Sequence, residues 1–184
     1  MKTFEVPQQY RSELISLIKS KRKAVDKLKK NFEPTILRFD GLEIILARHF
    51  GFCYGVENAI EIAFRAIFEN PGKHIFLLSE MIHNPQVNID LQAAGVRFIL
   101  DTYGRQLISW DEIKKEDIVI VPAFGTTLEI ERLLQEKNIE PKSYNTTCLF
   151  VEKVLNRSEK NGKEGYTNIV QGNPRNEETS AKIS

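Results

Sequence analysis

Two cysteines, three histidines and one pair of adjacent glutamates carry most of the reactive chemistry of this sequence, and their placement is not scattered. Cys53 lies in His49-Phe50-Gly51-Phe52-Cys53-Tyr54-Gly55-Val56, where glycines permit a tight turn and the cysteine stands at the mouth of an amphipathic stretch. Cys148 repeats the arrangement in Asn145-Thr146-Thr147-Cys148-Leu149-Phe150-Val151. A helix mouth favours negative charge, through its unpaired N–H groups and its dipole, and so favours a thiolate. Alone, either cysteine is more simply an inert buried thiol, since free Cys is among the most buried residue types. Two at equivalent junctions, facing a common crevice, are what a soft metal or an iron-sulfur cluster requires.

Three further junctions have the same character. In Met81-Ile82-His83-Asn84-Pro85, Asn84 suits an N-cap and Pro85 the first helical position, which puts His83 beside an anion-binding helix start. A lone histidine near a helix start is more often structural or merely exposed. Val121-Pro122-Ala123-Phe124-Gly125-Thr126-Thr127 offers glycine followed by hydroxyls, which turn and cap duty would explain. Gln171-Gly172-Asn173-Pro174-Arg175-Asn176-Glu177-Glu178-Thr179 places two carboxylates where a last helix begins. They serve either the helix dipole or, as the chemical alternative, proton donation to a reacting group. Gly51 and Gly55 form neither a GxGxxG nor a Walker A loop, so nucleotide binding gains little support.

The elements that must position these residues follow from periodicity. Residues from Tyr10 to about Lys30 read as one amphipathic basic helix, and Phe32 to Asp40, with Pro34, as a linker. From Gly41 onward, short apolar runs alternate with amphipathic helices, the signature of βαβ units on a mainly parallel sheet. Strands are expected at Leu42–Ala47, His74–Ser79, Val96–Leu100, Ile118–Val121, Ser143–Thr146 and Tyr166–Val170. Helices are expected near Gly55–Glu69, Pro85–Ala94, Thr126–Lys137 and Phe150–Asn161. Every junction above then falls just after a strand and just before a helix, where ligands bind in α/β sheets.

With 184 residues, 41% apolar and 28% charged, the chain suits one ordinary domain or one domain plus part of another. Its 26 basic and 25 acidic residues nearly cancel, so no overall field favours nucleic acid or an acidic membrane, and any anion needs a local site. No apolar run approaches the ~20 residues of a membrane span and Met1–Tyr10 lacks the basic-then-apolar order of a secretory signal, which leads to the expectation of a cytoplasmic protein. In that reducing compartment no disulfide between Cys53 and Cys148 is expected.

Taken in order, these junctions resemble the LytB family, the 4-hydroxy-3-methylbut-2-enyl diphosphate reductases that finish the non-mevalonate isoprenoid pathway. Gly51-Phe52-Cys53-Tyr54-Gly55-Val56 and Thr146-Thr147-Cys148, with Phe150-Val151 and Lys153-Val154, are similar to the family's first and second cluster-cysteine motifs. Ile82-His83-Asn84-Pro85 is similar to its first substrate-histidine motif. Pro122-Ala123-Phe124-Gly125 and Glu177-Glu178-Thr179 resemble the plastid and cyanobacterial branch.

The resemblance implies an α/β fold of βαβ modules, mainly parallel, forming part of a three-module trefoil around a central 4Fe-4S cluster held by three cysteines. On this reading residues 1–40 are an N-terminal helical extension and linker. Residues 41–146 are a first α/β module whose first strand belongs to a missing third module, and residues 147–184 are the truncated start of a second. Cys53 and Cys148 would ligate the cluster, His83 and Asn176 would contact the diphosphate, and Glu178 would supply the proton that lets the allylic hydroxyl leave as water. Ferredoxin or flavodoxin would be the electron donor. Three departures stand out: Phe124 where many members have histidine, Asn176 where both branches have a second substrate histidine, and no third cysteine, so the chain is expected to be an inactive fragment. Two rival readings are a dimeric metal or redox protein that shares its cysteines, and a non-catalytic α/β anion-binding module.

Overall fold

A computed structural model describes residues 7–28, 30–141, 143–172 and 179. The chain divides into two compact units, with the boundary between Cys53 and Tyr54.

The first unit opens with a short 3-10 turn, Gln8–Tyr10, and helix α1, Glu13–Val25, capped by the Ser12 side chain, which accepts the Ile15 N–H. Strands β1, Thr35–Phe39, and β2, Leu42–Leu46, form an antiparallel hairpin in which Phe39 pairs with Leu42. Asp40-Gly41 is thus a two-residue loop, with Gly41 at φ +74°. Gly41 alone takes the left-handed backbone of this turn, a conformation that costs glycine nothing. The expected linker 32–40 therefore contains a strand, and the expected strand Leu42–Ala47 runs antiparallel to it. A two-stranded ribbon is marginal by itself. Here Arg22 of α1 donates to the carbonyls of Ala47, Arg48 and Glu33 at 3.1–3.2 Å. Arg48 in turn reaches the Asn31 carbonyl at 2.9 Å and Asp26 at 3.2 Å.

The second unit is built on a parallel sheet in the order β4-β3-β5, comprising Val96–Phe98, Ile75–Leu77 and Ile118–Ile120. Because side chains alternate along a strand, Phe76, Leu78, Val119 and Val121 join one core with Ile99, Ile108, Ile113, Leu134 and Ile139. Ile75, Leu77 and Ile120, also buried, are left for the opposite face. Helix α2, Tyr54–Glu69, buries Ala59, Ile60, Ala63 and Ala66, and α3, Pro85–Ala93, buries Val87 and Leu91. Helix α4, Leu128–Glu136, starts on the Thr127 side chain, which accepts the Ile130 N–H at 3.3 Å, and inserts Leu134 into the core.

Two expected strands are not formed. Ser143–Thr146 contributes a single parallel bridge from Asn145 to Val121, since the Asn145 side chain then accepts the Thr147 N–H and turns the chain into helix α5, Leu149–Lys163. Residues 166–170 are irregular: no described strand pairs with them, and Ile169 is 93% exposed. No helix among the described residues is long and apolar enough to cross a membrane.

Candidate functional site at the carboxyl edge of the sheet

Where the chain leaves β3 it makes the loop that carries His83. Asn84 caps α3, its Oδ1 accepting the N–H groups of Gln86 and Val87 at 3.1 and 3.2 Å, and Pro85 takes the first turn, where no donor is needed. One turn on, the buried Asn88 accepts the Met81 N–H and donates to the Ile82 carbonyl, both at 3.0 Å. A side-chain amide here does the work of a neighbouring strand, satisfying two backbone groups that would otherwise be buried without partners. His83 is left exposed, with its ring stacked on Phe124 at 4.3 Å between centroids and 26° between planes.

Ala123 is the hub of the edge. Its N–H donates to the Met81 carbonyl at 3.2 Å, and its own carbonyl accepts the Cys148 N–H at 3.0 Å. Alongside, the fully buried Thr146 donates its hydroxyl to the Val121 carbonyl at 2.6 Å. The His83, Phe124 and Cys148 junctions are thereby tied side by side in one hydrogen-bonded line at the carboxyl edge. The spacing of the sequence puts each residue after an expected strand; the structure ties together the junctions after β3 and β5 and the one that follows the single Asn145 bridge.

Cys148 is the N-cap residue of α5, half-buried and free, and its side chain makes no capping hydrogen bond. Its sulfur is seated against the first turn of α2: a Cβ placed on Gly55 would lie 2.6 Å from Sγ and 3.1 Å from Cβ of Cys148. Gly55 is therefore a helical residue kept small by a neighbouring thiol, rather than the turn glycine expected from the motif. The turn falls at Gly51, φ +92°. Cys53 directly precedes α2 as an exposed, free thiol. Asn176, Glu177 and Glu178 lie outside the described residues. Among those described, no group of three or more His, Cys, Asp or Glu side chains is assembled to hold a metal ion.

A groove of about 910 Å³ adjoins the edge at Gly125, Thr126 and Thr147 and runs between α4 and α5, without His83 or Cys148 in its lining. Its charged lining is partly self-neutralised, for Lys163 donates to Glu159 at 2.6 Å and holds that carboxyl below the usual range. Asn88, which holds the His83 loop through Met81 and Ile82, is the residue of this edge that sequence reasoning missed. The available signal was an amide at a core-facing position of α3, between the buried Val87 and Leu91.

The class defined here is a parallel α/β unit with a histidine loop and a cysteine N-cap on one carboxyl edge, the region where ligands bind in open α/β sheets. Within that class the chain belongs to the LytB protein family, whose profile matches residues 44–184. Curated relatives include a 4-hydroxy-3-methylbut-2-enyl diphosphate reductase of Gloeobacter violaceus, 35% identical over 89% of this chain and 42% of the relative. Another of the same name, from Cyanothece, is 41% identical over 77% of this chain and 34% of its own. The chain thus spans less than half the length of these relatives. A solved structure of (E)-4-hydroxy-3-methyl-but-2-enyl diphosphate reductase aligns over 72% of this chain and 43% of its own, with TM-score 0.57 and 28% identity. The corresponding Plasmodium falciparum structure, at 23% identity and TM-score 0.62, shares the fold.

Proposed function

We propose that this chain supplies part of the active site of a 4-hydroxy-3-methylbut-2-enyl diphosphate reductase, and that its His83, Cys53 and Cys148 serve the substrate and cluster roles of that enzyme. The observation that carries the reading is the hydrogen-bonded line from Met81 through Ala123 to Cys148, which sets a histidine at a helix start beside a cysteine at another. His83 would donate to a diphosphate oxygen, assisted by the positive end of α3.

Cys148 fits a cluster ligand, because its thiol forms no cap and Gly55 leaves the space its sulfur occupies. Cys53 and Cys148 would hold a 4Fe-4S cluster by their thiolates, with a third ligand from outside this sequence, which has two cysteines. When bound, that cluster supplies a Lewis-acidic iron and a store for single electrons. Asn176 would offer an amide N–H to the diphosphate, and Glu178 would protonate the allylic hydroxyl as it departs as water. Each turnover would take two electrons and two protons in and give one water and either isopentenyl or dimethylallyl diphosphate, the electrons coming from ferredoxin or flavodoxin. Residues 41–146 and 147–184 would then belong to two modules of a three-module trefoil.

The test is calorimetric titration with 4-hydroxy-3-methylbut-2-enyl diphosphate, comparing the native chain with His83→Asn. Binding should weaken at least tenfold while the melting curve is unchanged, because Asn84, Pro85 and Asn88 hold the loop without the imidazole. A large loss of stability with unaltered affinity would make His83 structural.

A further inference from the structure

The stacked contact beneath His83 has no role in the function proposed above. Phe124 is 8% exposed, and its backbone is clamped on both sides, at Ala123 by Met81 and Cys148 and at Gly125 by the Pro122 carbonyl at 3.0 Å. It is therefore a fixed shelf, whereas the imidazole lying on it belongs to an exposed side chain with two free torsions. At 4.3 Å and 26° the rings are close to parallel, so one face of His83 is covered by Phe124 while the other face and the nitrogen-bearing edge stay open to a ligand.

We infer that Phe124 is a positioning residue for diphosphate binding: it holds the His83 ring flat against a fixed shelf, so that the ring edge with its N–H is oriented before the anion arrives. The inference rests on the diphosphate reading of His83. It adds that the residue beneath the histidine sets the strength of that contact, through orientation rather than by touching the ligand.

The experiment is proton NMR of the complete 184-residue chain, whose three histidines give three separable ring signals assigned by His83→Asn. Spectra of the native chain, Phe124→Leu and Phe124→Tyr are recorded at one fixed pH during titration with inorganic pyrophosphate. Stacking places the His83 ring protons in the shielding cone of Phe124, so Phe124→Leu should move them downfield and Phe124→Tyr should not. Pyrophosphate affinity should fall about two- to tenfold in Phe124→Leu, the range of a stacked aromatic contact, and recover in Phe124→Tyr. Unchanged His49 and His74 signals show that each variant is folded.

Equal affinity in Phe124→Leu, together with unmoved His83 signals, overturns the inference. Pyrophosphate that leaves the native His83 signals unmoved, while the ring-current difference between native and Phe124→Leu persists, overturns the diphosphate reading on which it stands. That second outcome is recognised by the intact stack.

Discussion

Replacing Gly55 by alanine tests how tightly Cys148 is seated, because two physical effects oppose each other and the structure decides the sign. Gly55 is helical, so alanine would ordinarily stabilise α2 by roughly 0.5–1 kcal/mol through lost chain entropy. The new methyl, however, would stand 2.6 Å from Cys148 Sγ and 3.1 Å from its Cβ, where non-bonded contacts need about 3.5–4.0 Å. The sulfur would have to retreat by about 1 Å, against an N-cap whose own N–H is bound to Ala123. Overpacking of this kind costs about 1–3 kcal/mol, so Gly55→Ala should destabilise by about 1–2 kcal/mol net. Urea unfolding followed by Trp110, which packs against the core of this unit, reads the change as a shift of midpoint at constant slope. In a Cys148→Ala background the largest clash is gone and the penalty should shrink by about 1 kcal/mol, a coupling expected only of residues in contact. A stabilising Gly55→Ala, or costs that simply add, would refute the packing argument.

Asn88→Ala should cost about 2 kcal/mol or more, since it strands the buried Met81 N–H and Ile82 carbonyl, and should weaken diphosphate binding through the loosened His83 loop. Thermal unfolding and the same titration check both effects, and a neutral result would mean the loop holds itself. In the first unit, the N–H groups of Asn31 and Lys30, with a further contribution from Arg48, hold the Asp26 carboxyl below the ordinary carboxylate range. A depressed folded value means that its stabilisation is complete above pH ~4 and is lost as pH falls through the lowered value. The Lys30 and Asn31 amide resonances should therefore titrate in acid below pH ~4 and cease to do so in Asp26→Asn.

The sequence was most legible where periodicity and turn chemistry agreed. Helices α2 and α3 fell within one or two residues of expectation, because Pro71-Gly72 and Asn84-Pro85 punctuate them. The hairpin was missed because Pro34 made residues 32–40 look like a linker, although Asp40-Gly41 between apolar runs is a strong two-residue turn signal. Residues 143–146 and 166–170 have strand-like composition, but a strand exists only with a partner. Asn145 spends its side chain on turning the chain, and no described strand lies beside 166–170. Residue type and spacing singled out His83 and Cys148 as candidates. What spacing could not reveal was how the junctions are joined, because Ala123, Asn88 and Gly55 act through backbone hydrogen bonds and close approach rather than through reactive chemistry.

The central claim, that this chain contributes Cys53 and Cys148 to a cluster completed by a third thiolate, is tested by anaerobic reconstitution with iron and sulfide. Absorbance, iron and sulfide content, oligomer mass and viologen-driven turnover are measured on the native chain, Cys53→Ser and Cys148→Ser. The account predicts a thiolate-to-iron absorbance that requires both cysteines, fades when excess iron and sulfide are removed, and gives no turnover, because two thiolates do not complete the ligand set. A cluster that survives desalting in a dimer and turns over substrate would contradict it, placing the site between two copies of the chain. A signal indifferent to both substitutions would remove the cysteines from the site.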